Sequence, residues 1–386
     1  MLHKRINTSE IKSKLPNVGT SIFSVMSKMA SQYNAINLSQ GFPNFPVAPE
    51  LVKNYKEVIE GNYHQYMPMS GGPRLLAEIS QKILKHYDRV VHPEEEILVT
   101  AGATQAIFTA IQAIIHRGDE AIVLDPSYDC YAPSVELAGG KPIHINLNAD
   151  FSVDWSRVED AISKETKLLI VNNPHNPGGT VFSEEDVNAI EQIMLRHPHL
   201  FLLSDEVYEF IHFEQKHISI NTRETIRDRA FIVSSFGKTF HVTGWKVGYL
   251  VAPKYLMDEV KKIHQYIVFS VNSTAQRTLA NYLPQADLSD LGGFYQKKRD
   301  FFRGLMKKSR FELLDCQGTY FQVARYNEIS NLGDVDFAKE MTQIHGVAVI
   351  PVSGFNKDQH DDHLIRFCFA KDEETIIKAT EKLCKI

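Results

Sequence analysis

Residues 97–115 read ILVTAGATQAIFTAIQAII, and two periodicities meet inside them. Ile97–Thr100 is a short run rich in β-branched residues, the composition of a strand. Beyond Ala101-Gly102, the residues Ala106, Ile107, Ala110, Ile111, Ile114 and Ile115 recur at helical spacing and form one apolar stripe. The same beat continues downstream. Ala121–Leu124 (AIVL), Leu168–Val171 (LLIV), Leu200–Leu203 (LFLL) and Phe231–Val233 (FIV) read as strands, most of them separated by enough chain for a helix. Such alternation predicts an α/β fold with a mostly parallel central sheet flanked by helices on both faces.

Several of these runs end in polar clusters: AGATQ from 101, DPSYDCY from 125, NNPHNPGG from 172, SDEVYEF from 204 and SSFGKTF from 234. Ligands of open α/β sheets sit outside the carboxyl ends of the strands, so these clusters should converge on one crevice. Ser39–Pro49 (SQGFPNFPVAP) favours an extended connector. From Leu291 the pattern changes to a charged helix (FYQKKRDFFRGLMKK), short strands around Gly318–Val323 and His363–Phe369, and a last helix over Asp372–Lys385. This predicts a smaller α+β domain. The expected division is 1–48 for an N-terminal arm with part of the small domain, 49–290 for the large domain and 291–386 for the C-terminal small domain.

Composition removes several function classes. The 386 residues are 43% hydrophobic, enough for a large core, and 42 basic against 47 acidic residues leave a net charge of −5, with no basic field to hold nucleic acid. Four cysteines without a CxxC pair argue against a zinc ribbon or a disulfide framework and fit a reducing cytoplasm. Met1–Pro16 has no apolar signal core and no run approaches membrane-spanning length, so secretion and membrane insertion are not expected. His197 with His199, and His360 with His363, have ligand-like composition but no HExxH pattern; they read as surface turns, and no metal is expected.

The strand ends carry the chemistry. Lys238 follows an apolar strand with Gly237 beside it, a setting in which a buried amine can form a Schiff base; a solvated surface lysine is the commoner reading of any one lysine. Asp205 ends another strand and by itself could be a helix cap or an arginine partner. Together with Tyr208 and Asn176, which sits between His175 and Pro177, these are the groups that grip a substituted pyridine: an acid for the ring nitrogen, a phenol and amide for the ring hydroxyl, an amine for the aldehyde. Ala101-Gly102-Ala103-Thr104 opens the amphipathic helix and could hold an anion at its positive end, with Ser235 and Lys246 closing the cup. The alternative is an ordinary turn with Thr104 as cap.

In this order and spacing, the motifs resemble the fold-type I, pyridoxal-phosphate-dependent aminotransferases of class I/II, within them the kynurenine/glutamine transaminase branch and the bacterial methionine aminotransferases. The resemblance runs from SQGFPNFP (39–46) through YHQYMPMSGGPRLLAEI (63–79), TAGATQAIF (100–108), DPSYDCY (125–131), NNPHNPGGTVF (172–182), SDEVYEFIHF (204–213) and SSFGKTFHVTGWKVGYLVAP (234–253) to GTYF (318–321) and LIRFCFA (364–370). It implies an aspartate-aminotransferase-like fold and a homodimer with shared active sites. It makes Lys238 the Schiff-base lysine and proton shuttle, Asp205 the partner of the pyridinium, Asn176 and Tyr208 the ring-hydroxyl contacts, and Tyr128 the stacking residue. Ala103, Thr104, Ser235 and Lys246 would hold the phosphate of pyridoxal 5′-phosphate, joined by Tyr66 from a second subunit. Arg366 would take the substrate α-carboxylate, assisted by Asn176 and the Gly41 backbone.

Two departures from the family pattern matter. Lys246 stands where many relatives have arginine, which replaces a fork by a point charge. Tyr266–Val271 (YIVFSV) offers no arginine for a dicarboxylate side chain, so an apolar pocket is expected from Phe42, Tyr63, Tyr66 and Phe269. Methionine, phenylalanine, glutamine or kynurenine would suit it better than aspartate. The same motifs also admit a cysteine-conjugate β-lyase; a cofactor-sensing regulator would need a DNA-binding segment that the forty residues before the QGF motif do not offer.

Overall fold

The computed structural model describes residues 12–386. A two-residue strand, β1 (Ile36–Asn37), precedes the strands of the main sheet: β2 (Ile97–Thr100), β3 (Glu120–Asp125), β4 (Lys141–Asn146), β5 (Thr166–Asn172), β6 (Phe201–Asp205), β7 (Ala230–Ser235) and β8 (Gly248–Val251). Their spatial order is β2-β8-β7-β6-β5-β3-β4. All neighbours run parallel except β8, which is antiparallel to both β2 and β7.

The alternation of side chains along each strand divides the core into two layers. Leu169, Leu202 and Ile232 face the helix Glu184–Arg196, through Val187, Ile190 and Met194, on one side of the sheet. Ile170, Leu203 and Val233 face the helices Ala103–Ile114 and Lys254–Ile267 on the other. The apolar stripe read from the sequence is the buried face of Ala103–Ile114, where Ala106, Ile107, Ala110 and Ile111 are fully buried. Two strands of the main sheet went unread. β4 is an edge strand, exposed or half-buried along its length, so it lacks the continuous apolar run of its neighbours. β8 returns antiparallel after a short connection and therefore breaks the strand–helix rhythm.

Beyond the main sheet, β9 (Glu312–Leu313), β10 (Phe321–Arg325), β11 (Val347–Ala348), β12 (Ile350–Pro351) and β13 (Leu364–Cys368) complete the set. Four of them form an antiparallel sheet in the order β12-β13-β10-β9, while β11 pairs in parallel with β1. The strand expected around Gly318–Val323 starts only at Phe321. Gly318 is instead bridged to His212, and the Thr319 N–H donates to the Ile211 carbonyl at 2.8 Å, so this segment is fastened to the turn after β6. The last helix, Glu373–Leu383, is capped by Asp372, whose Oδ1 accepts from the Thr375 N–H at 2.7 Å. Met26 and Leu38 pack in one core with Phe302, Phe337, Phe367 and Ile376, which joins the N-terminal segment to the last third of the chain.

The turn after β6 is held from below by buried polar groups. Glu209 accepts from Lys82 Nζ at 2.7 Å and from the hydroxyls of Tyr87, Ser234 and Tyr249. Glu206 accepts from Ser204 Oγ at 2.9 Å and from the Ile220 N–H at 3.0 Å, and His217 Nε2 lies 3.1 Å from it. Burial pushes the Lys82 amine down from its ordinary value, and the Glu209 carboxylate opposes that shift. Removing one partner of such a pair leaves a buried charge without a counterion. Lys82→Met should therefore destabilise the fold by about 3–5 kcal/mol, read as a shift of the denaturant midpoint; an unchanged midpoint would show that the pair does not anchor this turn.

Candidate active site

The carboxyl ends of β2, β5, β6 and β7 open, together with β13 and the connector around Gly41, on one cavity of about 430 Å³. Its floor is Asp205, the last residue of β6. Tyr131 donates to Asp205 Oδ2 at 2.6 Å and the Val207 N–H to Oδ1 at 3.3 Å. Burial nevertheless pushes this carboxyl up to about 6, because desolvation outweighs both bonds. Asn172 is the register partner of Asp205 across the β5–β6 ladder. Its Nδ2 donates to the Asp205 carbonyl at 2.9 Å and its Oδ1 accepts from the Asn176 N–H at 2.8 Å, so strand pairing fixes the turn that carries Asn176.

At one end of the cavity the helix Ala103–Ile114 begins, and no side chain caps its first turn. Gly102 occupies the N-cap position at φ +77°, and a Cβ there would come within 3.1 Å of Lys246 Nζ. Gly248 lets β8 approach equally closely, since a Cβ there would lie 3.0 Å from the Ala103 nitrogen. Thr104 is thus not the cap; its Oγ1 is 3.1 Å from the Tyr128 hydroxyl. Free N–H groups at a helix start, two hydroxyls from Thr104 and Ser235, and the Lys246 amine make a dianion cradle.

Lys238 sits on the single turn Phe236–Thr239 after β7. Its Nζ donates to the Tyr320 hydroxyl at 3.0 Å and to the Gly41 carbonyl at 3.2 Å. Burial pushes the amine down to about 8. Arg366 lies in the middle of β13 and is 1% exposed. It donates through Nη1 to Asn176 Oδ1 at 2.6 Å and through Nη2 to the Ser39 carbonyl at 3.2 Å, and its guanidinium carbon lies 3.7 Å from the Phe321 ring centroid. Its Nε is buried without a partner. Among the described residues no carboxylate forms an ion pair with it, which is how a site for an anionic ligand is built.

The structure brings Gly41, Phe42, Ala103, Thr104, Tyr128, Asn176, Asp205, Tyr208, Ser235, Lys238, Lys246 and Arg366 onto this one cavity. Tyr63, Tyr66 and Phe269 stand off it, 45%, 81% and 49% exposed, with the Tyr66 and Phe269 rings edge-on at 5.6 Å. His197 and His199 lie elsewhere, beside Glu159 and the Ser163 carbonyl, and His360 pairs with Asp362. Among the contributors not singled out from the sequence are Tyr131, Asn172, Tyr320 and Phe321. Each belongs to a motif quoted above, but its partner lies far along the chain.

Residues 33–383 match the family model for aminotransferase class I and II. The chain belongs to this family. It is 46% identical over 377 residues to the methionine aminotransferase of Escherichia coli, covering 96% of this chain and 97% of that protein. Human kynurenine–oxoglutarate transaminase 1 is 31% identical, with 93% of this chain and 94% of the relative covered. Among solved structures, an E. coli protein identified with a methionine aminotransferase function superposes with a TM-score of 0.94 at 45% identity, covering 97% of this chain and 99% of the other. A Thermus thermophilus aspartate aminotransferase variant gives 0.88 at 26% identity, covering 97% and 99%. The chain is therefore a transaminase of the aspartate-aminotransferase-like fold. Its family works with pyridoxal 5′-phosphate, and the donor set fits that group: a glycine-lined dianion cradle, a buried carboxyl and a half-buried amine in one cavity.

The depressed Lys238 amine gives a measurable signature. In cofactor-free protein, labelling of Lys238 by an amine-reactive reagent should rise with pH around a midpoint near 8, because the neutral amine is the nucleophile. Peptide mapping across a pH series checks this, and a midpoint at the ordinary lysine value of 10.5 would contradict it.

Proposed function

We propose that this transaminase moves the amino group of an amino acid with an apolar or aromatic side chain, of the methionine, phenylalanine, glutamine or kynurenine kind, to a 2-oxo acid. The observation that carries the reading is Arg366, a buried guanidinium without a counterion in the cavity that also holds Lys238 and Asp205. An α-carboxylate is the anion that fits it, as a charge-assisted pair flanked by the Asn176 amide. The substrate preference draws on the likeness to methionine and kynurenine transaminases and on a cavity wall of Phe42, Phe23 and Phe321.

Ala103, Thr104, Ser235 and Lys246 would hold the phosphate of pyridoxal 5′-phosphate, Tyr128 would lie against its ring, and Tyr208 and Asn176 would meet its hydroxyl. When bound, this cofactor supplies the electron sink for the carbanion formed at the amino acid α-carbon. Asp205 would pair with a positive ring nitrogen at the cavity floor, which would restore the ionised carboxylate that burial disfavours. Lys238 Nζ is the base for the α-proton, since an amine near 8 is partly neutral at physiological pH. Arg366 and Asn176 orient the α-carbon towards it. The exposed Tyr66, Tyr63 and Phe269 are available to a second copy, and a cytoplasmic homodimer with shared sites belongs to the same reading.

The test is a panel of donors added to the cofactor-loaded enzyme, with the visible absorbance followed. Methionine, phenylalanine, glutamine or kynurenine should bleach it faster than aspartate, leaving an intact 2-oxo acid. Arg366→Met should lower the bleaching efficiency by roughly 100-fold. Unchanged spectra with every donor would reject the reading, and pyruvate, ammonia and thiol from a cysteine conjugate would mark a β-lyase.

A further inference from the structure

Tyr320 is bonded to Lys238 yet has no part in the cavity wall. It is fully buried, and its ring is locked by three aromatic neighbours: Tyr208 edge-on at 5.3 Å, Phe321 at 4.9 Å and Tyr295 at 5.5 Å. The hydroxyl has a close acceptor in the Gly41 carbonyl, with the Tyr208 hydroxyl as its other neighbour. It donates to the Gly41 carbonyl at 2.6 Å and so must present a lone pair, not its hydrogen, to Lys238 Nζ at 3.0 Å. The Gly41 carbonyl accepts a second bond, from the amine itself, at 3.2 Å. Gly41 is required for this approach, because a Cβ there would meet the Phe321 ring at 2.7 Å.

A neutral amine has two N–H donors and one lone pair. With one N–H on Tyr320 and the other on Gly41, the remaining direction is the lone pair, and Lys238 lines the cavity. We infer that Tyr320 is a positioning residue for the transfer of the α-proton: its hydroxyl, set by the Gly41 carbonyl, holds the free Lys238 amine with its lone pair turned to the substrate. The inference rests on the transaminase reading of Lys238. A flexible four-carbon chain would otherwise spread its amine over many rotamers, and a fixed near-attack geometry is worth large rate factors. Other charged or titratable groups around the amine are Asp205 on β6, Arg366 and Cys368 on β13, and Lys246 and Tyr208. The directional acceptors bonded to it are Tyr320 and Gly41.

The test is Tyr320→Phe, which removes one oxygen and keeps the packed ring. In the loaded enzyme kcat should fall roughly 10- to 100-fold while KM stays within a few-fold, because orientation and not binding is lost. In cofactor-free protein the labelling midpoint of Lys238 should move down by about one pH unit, since the ammonium loses an acceptor. Tyr295→Phe is the control: it removes a neighbouring buried hydroxyl that has no partner, and should leave the midpoint in place. A wild-type midpoint in Tyr320→Phe, a loss carried by KM, or an equal shift in Tyr295→Phe would overturn the inference. Labelling needs no turnover, so an unmoved midpoint counts against Tyr320 alone, whereas a silent donor panel counts against the transaminase reading.

Discussion

Three ionisable side chains, the buried Asp205 and Arg366 and the half-buried Lys238, face one cavity, and none of them is ion-paired within the described chain. Withdrawing charge from water without a partner is costly, and a fold that gathers such groups in one place has kept those partners for ligands. The set of charges gathered in the cavity matches such ligands. A cradle for a dianion lies at the start of the helix Ala103–Ile114, and a carboxyl, an amine and a guanidinium line the same cavity. The shifts of Asp205 up and Lys238 down express the same constraint, since burial disfavours the charged form of each.

The rest of the architecture fixes where these groups stand. Parallel pairing of β5 and β6 places Asn172 opposite Asp205 and so sets the Asn176 turn. That turn meets Arg366, which comes from the other sheet, through a 2.6 Å bond. The connector around Gly41 is tied to the C-terminal part of the chain by Lys371, whose amine donates to the Phe42 carbonyl at 2.7 Å. The cavity is thus a seam, with the carboxyl at the end of β6 and the amine on the turn after β7 on one side and the guanidinium on β13 of the small sheet on the other. Binding an amino acid across it satisfies groups from both sides at once.

The sequence carried the large sheet because four of its inner strands are apolar on both faces and are spaced by helices, and it carried the site because strand ends in such sheets converge. The parts that escaped it have physical reasons. β4 is half exposed at the edge, and β8 runs antiparallel, so neither has the signal of a buried parallel strand. Tyr131 and Tyr320 sat in plain motifs, yet their partners are 74 and 82 residues away, and the bond from Arg366 to Asn176 spans 190. Local periodicity cannot encode such pairings. Tyr63, Tyr66 and Phe269 entered through family resemblance alone, and they lie on the surface of the single chain.

The whole arrangement stands or falls on which amine holds the aldehyde. Loading the protein with pyridoxal 5′-phosphate, reducing with borohydride and mapping the peptides should place a single pyridoxyl tag on Lys238. A tag on Lys246, on any other lysine, or on none would contradict it.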